Sequence, residues 1–205
     1  MDQTVSDLAV LDRTLADTAD PSSWDRAHGR VIGSYQAGAF AKPGSVETYI
    51  RQMLAPRDFK GNEATRSGNR WEPMLLAWAG AEPNSLLIHH PDEKQYGATV
   101  DGTTPRRIVE TKAKHNKVVT GPTPREIRQM AWQLFCLPEY EGVDFVWGEL
   151  VREFGPDGWR LRRDPLTVTF DRDHPQIVAA LTLIVPIARE VLAGVNAALL
   201  ERTPF

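Results

Sequence analysis

Residues Gly97 to Lys114 read GATVDGTTPRRIVETKAK, the most informative stretch of the chain. A short apolar run ends at Asp101, Gly102 to Pro105 supply turn residues, and a second run follows over Arg107–Lys112. This is the pattern of a β-hairpin. Strand side chains alternate between faces, so Glu110 and Lys112 project together while Thr111 points away. If Asp101 ends the neighbouring strand beside Glu110, two carboxylates and one ammonium converge. Such a cluster suits a divalent cation and an attacking water, because hard cations such as Mg²⁺ take oxygen ligands.

Working outward, the preceding segment carries Glu72 in Arg70-Trp71-Glu72-Pro73. A helix is expected to start near Arg70, with Pro73 in its first turn, where a missing N–H costs nothing. Residues 56–69 are polar and basic and read as a loop. Strands are expected at Ser85–His89, Gly97–Asp101 and Arg107–Lys112. A long helix follows over Pro124–Leu137, then a strand at Val143–Leu150. The turn Gly155–Gly158 lies between Val151–Phe154 and Trp159–Arg162, and Leu166–Phe170 reads as a further strand. The last helix runs from Pro175 to Arg202. Nearer the start, Val5, Leu8, Leu11 and Leu15 have helical spacing over 4–18. A short second helix is capped by Ser22 or Ser23 and runs through Trp24, another begins at Ser34, and Ser45 caps a helix over 46–55.

The 205 residues suit one domain spanning 1–205, with a core at about 24–150. The hydrophobic fraction of 41% and charged fraction of 25% are ordinary for a globular chain. The single cysteine, Cys136, leaves no intramolecular disulfide and no cysteine-ligated iron–sulfur cluster or zinc site within one chain. No stretch reads as a membrane span and the first residues do not read as a signal peptide, so a cytoplasmic protein without a membrane partner is expected. Net charge is −3, yet residues 50–130 hold 13 Lys/Arg against 9 Asp/Glu. The basic excess sits with the acidic cluster, as a phosphate-binding face requires, or it is a solvated surface.

The residues Asp101…Glu110-Thr111-Lys112 resemble the PD-(D/E)xK signature of restriction-endonuclease-like nucleases. The order of elements agrees: an α/β (α+β) chain with an αβββαβ core, a central mixed sheet flanked by helices, extra N-terminal helices and a C-terminal helix. The closer resemblance is to phage exonucleases of the lambda exonuclease / YqaJ viral recombinase type, over roughly 24–150. It rests on Trp24 followed by Val31-Ile-Gly-Ser34, on Gly68-Asn-Arg-Trp71-Glu72-Pro73, on the Asp101, Glu110 and Lys112 set, and on Gln129-Met-Ala-Trp-Gln133-Leu. The arginine that such proteins carry soon after the tryptophan is missing, and Arg26, His28 and Arg30 are the nearby basic positions.

The resemblance implies a metal-dependent DNA exonuclease that resects linear duplex from a 5′ end for recombination, with double-stranded DNA as substrate. It also implies a single-strand-annealing partner protein and a homo-trimer. Asp101, Glu110 and the Thr111 carbonyl would hold Mg²⁺ (or Mn²⁺), and Glu72 a second ion directly or through water. Lys112 would orient the nucleophilic water, and Gln129 would hold that water, Lys112 or backbone phosphate. Ser34 either binds a terminal 5′-phosphate or is a plain N-cap. His28, Arg30, Arg66, Arg70 and Lys114 are candidates for phosphate. His89-His90 either sends one ring into the site or has one ring packed and one solvated. Trp78, Trp132 and Cys136 read as core. The competing readings are an endonuclease on the same scaffold and a non-catalytic DNA-binding module.

Overall fold

A computed structural model of the chain describes residues 10–20, 22–23, 27, 31–55, 63–153 and 158–201, with the side chains of 63–66 outside that set. The elements run β1 (Thr14–Asp17), α1 (Ser34–Ala39), α2 (Val46–Leu54), α3 (Glu63–Ala79), β2 (Glu82–Pro83), β3 (Leu86–His90), β4 (Glu93–Ala98), β5 (Gly102–Thr103) and β6 (Arg107–His115). They continue as α4 (Pro124–Cys136), β7 (Gly142–Arg152), β8 (Trp159–Leu161), β9 (Leu166–Asp171) and α5 (Pro175–Glu201). This is an α/β fold with a central mixed sheet flanked by helices, as a restriction-endonuclease-like core requires.

The main sheet has the order β2-β5-β6-β7-β8, with β9 also beside β7. β6 and β7 are parallel, from Arg107↔Gly142 to His115↔Leu150. Parallel neighbours need a crossover, and α4 supplies it. The two faces of β6 meet different partners. Ile108 packs into the large core with Met130 and Leu134 of α4, while Val109 joins Val146 against Leu75 and Leu76 of α3. Helix α4 starts where the sequence signals it: Thr123 and Glu126 form a reciprocal capping box and Pro124 takes the first turn. A second, antiparallel sheet of order β1-β3-β4 lies apart from the first.

Several expectations need correction. The helix expected over 4–18 is a strand at Thr14–Asp17, pairing with β3. The free edge of β3 needs hydrogen-bond partners, and Arg13 anchors this strand by donating to the His89 and Cys136 carbonyls. Residues 4–9, Trp24 and 155–157 lie outside the described residues.

Residues 63–69, expected as loop, open α3, so Pro73 lies inside the helix and not in its first turn. An interior proline costs a helix ~3 kcal/mol. Here Pro73 and Asn69, whose carbonyl loses its partner, are both on the exposed side, and Leu75 and Leu76 anchor the next turn. Trp78, expected in the core, is 50% exposed on this helix, while Trp132 is fully buried and donates from Nε1 to the Gly97 carbonyl at 3.0 Å. The expected strand Gly97–Asp101 is also different. β4 ends at Ala98 in the second sheet, and within residues 97–103 the pairing with β6 is confined to Gly102 and Thr103.

α5 is long and apolar enough, by length and composition alone, to cross a membrane, which the sequence reading missed. In the fold Ile177, Ile184, Ile187, Val191 and Val195 are buried in the large core, where the helix packs on α2 and α4. Cys136 is buried, and desolvation pushes its thiol pKa well up, so it is a core residue.

Candidate active site

The β5–β6 pairing sets the geometry. Gly102 faces Val109 and Thr103 faces Ile108, so the same register carried one residue further sets Asp101 opposite Glu110. At Asp101 the chain leaves the sheet. Asn84 secures this departure: its Nδ2 donates to the Leu86 and Val100 carbonyls, at 3.1 Å each, and its N–H donates to the Asp101 carbonyl at 3.0 Å. The Thr111 N–H therefore has no strand carbonyl to meet. Asp101 Oδ2 takes that place, accepting from Thr111 N at 2.7 Å and Thr111 Oγ1 at 2.8 Å.

Glu110 is 1% exposed. A buried carboxylate is costly unless its oxygens are satisfied. Oε1 accepts from Lys112 Nζ and from Gln129 Nε2 at 2.6 Å, and Oε2 accepts from Gln133 Nε2 at 2.6 Å. Gln129 and Gln133 are one helical turn apart on α4 and share the face turned to β6. Lys112 Nζ also donates to the Thr111 carbonyl at 3.1 Å.

The electrostatics follow from this crowding. Burial first, and the Asp101 charge second, raise the Glu110 carboxyl from 4.5 to about 7 against the opposing pull of Lys112. Glu72 is likewise raised from 4.5 to about 7, by burial and then by Asp101 and Glu110. It comes from α3, on the opposite face of β6 from α4. For Lys112 burial acts to lower the pKa, but Glu110 and Asp101 outweigh it and hold the ammonium above the ordinary lysine range.

Among the described residues no group of three or more His, Cys, Asp or Glu side chains is gathered closely enough to hold a metal ion. The donor set that does converge is mixed. The Lys112 ammonium bridges Glu110 Oε1 and the Thr111 carbonyl, so these two oxygens already face one position held by a cation. With Asp101 beside them, these are hard oxygen donors of the kind Mg²⁺ takes. Lys112, Glu110, Asp101, Thr111 and Gln129 are thus brought together, and Glu72 is coupled to Asp101 and Glu110 through charge.

The other expected residues stand differently. Gly33 is the N-cap of α1, and Ser34 is its first helical residue, 6% exposed, with no partner for its Oγ among the described residues. Lys114 pairs with Glu126 and lies 5.7 Å from the Phe145 ring centroid. Arg70 is exposed on α3, while His28, Arg30 and the Arg66 side chain lie outside the described residues. Gln129, expected to hold water, Lys112 or phosphate, holds Glu110 itself. His89 is buried, with Nδ1 2.6 Å from the His90 carbonyl, and His90 stacks on Phe135 at 4.4 Å, so both rings are engaged in the second sheet.

Two residues were not assigned roles from the sequence. The four-residue spacing of Gln129 and Gln133 was the available signal for the second glutamine. Asn84 carried none, because its partners depend on where the sheets part.

No protein-family model matches the sequence, and no curated protein sequence matches it. Solved structures do. An alkaline exonuclease from Laribacter hongkongensis, LHK-Exo, aligns with a TM-score of 0.62 at 20% identity, covering 88% of this chain and 97% of that one. The structure of that enzyme in complex with dAMP aligns at 0.59 and 19% identity, covering 89% and 97%. A phage-related exonuclease from Haemophilus somnus 129PT aligns at 0.53 and 13% identity, covering 94% of each chain. At these identities the likeness is one of fold, and it extends over most of the chain.

Proposed function

We propose that the chain is a single-domain, metal-dependent deoxyribonuclease, acting as an exonuclease that resects linear double-stranded DNA from the 5′ end in phage-type recombination. The observation that carries the reading is Glu110, sealed in the core yet presented beside Asp101 and Lys112, with two glutamines committed to its oxygens. A structural ion pair gains little from such an arrangement, since buried pairs barely repay their desolvation. The fold likeness to two exonucleases agrees with this reading.

Asp101, Glu110 and the Thr111 carbonyl would hold Mg²⁺, or Mn²⁺ in its place, with Glu72 serving a second ion. The metal would stabilise charge developing on the scissile phosphate and lower the pKa of the attacking water. In the absence of metal, Glu110 and Asp101 hold the Lys112 ammonium above the ordinary lysine range, which supports a role as a donor that orients water or phosphate rather than as a free base. Gln129 and Gln133 hold Glu110 to one rotamer. A trimeric ring and a single-strand-annealing partner rest on the sequence resemblance alone.

An endonuclease on the same scaffold is the second reading. The burial of Ser34, the expected 5′-phosphate contact, favours it. The test is digestion of a linear duplex bearing 5′-phosphates and of the same DNA as a covalently closed circle, in Mg²⁺, with Lys112→Ala as control. Loss of the linear form alone supports the exonuclease. Nicking of the circle establishes the endonuclease. No cleavage of either in Mg²⁺ or Mn²⁺ overturns both.

A further inference from the structure

Tyr35 is 69% exposed, an unusual place for a large ring on a short helix whose neighbours Ser34, Ala37 and Gly38 are buried. It does not lie loose. The Arg125 guanidinium stacks over it, 4.4 Å from the ring centroid. Arg125 is itself exposed, and among the described residues it pairs with no carboxylate. The pair therefore offers one open aromatic face beside a cation that no carboxylate neutralises among the described residues.

Its position ties it to the candidate active site. Gly38 shares a helix face with Tyr35, one turn on. A β-carbon at Gly38 would sit 3.1 Å from the Arg125 carbonyl and 3.4 Å from Gln129 Cβ. Arg128 Nε adds a hydrogen bond to the Gly38 carbonyl at 2.9 Å. The helix that holds Glu110 through Gln129 is thus the one on which Tyr35 is mounted, and Arg125 lies one helical turn from Gln129.

We propose that Tyr35 and Arg125 form a strand-gripping site, in which an unpaired nucleobase stacks on the open face of Tyr35 and its phosphate pairs with Arg125. Base–aromatic stacking tolerates any sequence, and an arginine beside the ring supplies the backbone contact. The inference rests on the nuclease reading and adds to it a place for single strand outside the metal ligands.

The test is binding, measured in chelator so that cleavage plays no part. Fluorescence anisotropy would follow a labelled single-stranded oligothymidylate and an abasic strand of equal length. Tyr35→Ala should weaken oligothymidylate binding about five- to tenfold, the lower end of measured base stacking, and leave the abasic strand unchanged. Tyr35→Phe should keep wild-type affinity, and Arg125→Ala should weaken both strands. Tyr35→Ala within twofold of wild type on oligothymidylate overturns the stacking site. If the wild type then still cleaves duplex DNA, only this inference falls. A wild type that binds neither strand and cleaves no DNA removes the nuclease reading with it.

Discussion

Gln133 Nε2 donates to Glu110 Oε2 at 2.6 Å, with both side chains shut off from solvent. The pair joins the last turn of α4 to the middle of β6. Gln133 Oε1 has no partner among the described residues, so the residue is held for its donor. Gln133→Leu leaves the carboxyl with one donor fewer. A buried group left short of a hydrogen bond costs about 1–3 kcal/mol. The expected result is that loss in urea unfolding, and a pH midpoint for Mg²⁺-dependent cleavage displaced upward. If neither changes, the contact does not govern Glu110.

Lys112→Ala should abolish cleavage while sparing DNA binding, because the ammonium is engaged with Glu110 and the Thr111 carbonyl. Gel-shift titration in chelator beside a digestion assay checks this. Cleavage at the wild-type rate removes Lys112 from the chemistry.

Glu110 and Glu72 both rise from 4.5 to about 7, so between those pH values the folded protein binds protons that the unfolded chain has released. Without metal, this pair therefore favours the fold below about pH 4.5 and progressively loses that advantage as pH rises to about 7. Metal binding has the opposite slope, since it needs the ionised carboxylates, and Mg²⁺ affinity should climb with pH and level off above about 7. Urea unfolding in chelator at about pH 5.5 and about pH 8 tests the first part. Wild type should lose more stability between them than Glu72→Gln does; equal losses would mean that Glu72 titrates normally.

Gly142 opens β7 against the Arg107 guanidinium, which binds Asp144, Asp171 and the Phe170 carbonyl. A β-carbon there would lie 2.3 Å from Arg107 Nη2 and 2.5 Å from the Phe170 carbonyl oxygen. The backbone contact cannot yield cheaply. Gly142→Ala should cost about 1–3 kcal/mol in urea unfolding, the range of overpacking, with metal affinity little changed. Full stability in the variant would show that β9 can shift.

Much of this was legible in the residues. The alternation Glu110-Thr111-Lys112, the helix opening at Pro124, and the apolar run of β7 each rest on local chemistry. The N-terminal strand was not legible, because Leu11 and Leu15 keep helical spacing while the pairing that overrides it comes from the free edge of β3. The start of α3 was missed because Pro73 reads as a first-turn residue, and its tolerance inside the helix depends on exposure. Trp78 was misplaced for a related reason: helical spacing does not say which face finds a partner.

That Glu110 and Lys112 share a strand face, and Gln129 and Gln133 a helix face, follows from residue order alone, since both periods are properties of the backbone. That the two faces meet comes from the packing of α4 on β6. The same packing parts the sheets at Asp101, leaving its carboxylate to the Thr111 N–H, and buries Glu110 deeply enough to raise its carboxyl pKa above the ordinary range. These depend on desolvation and on hydrogen-bond partners far away in the chain, which no local pattern encodes.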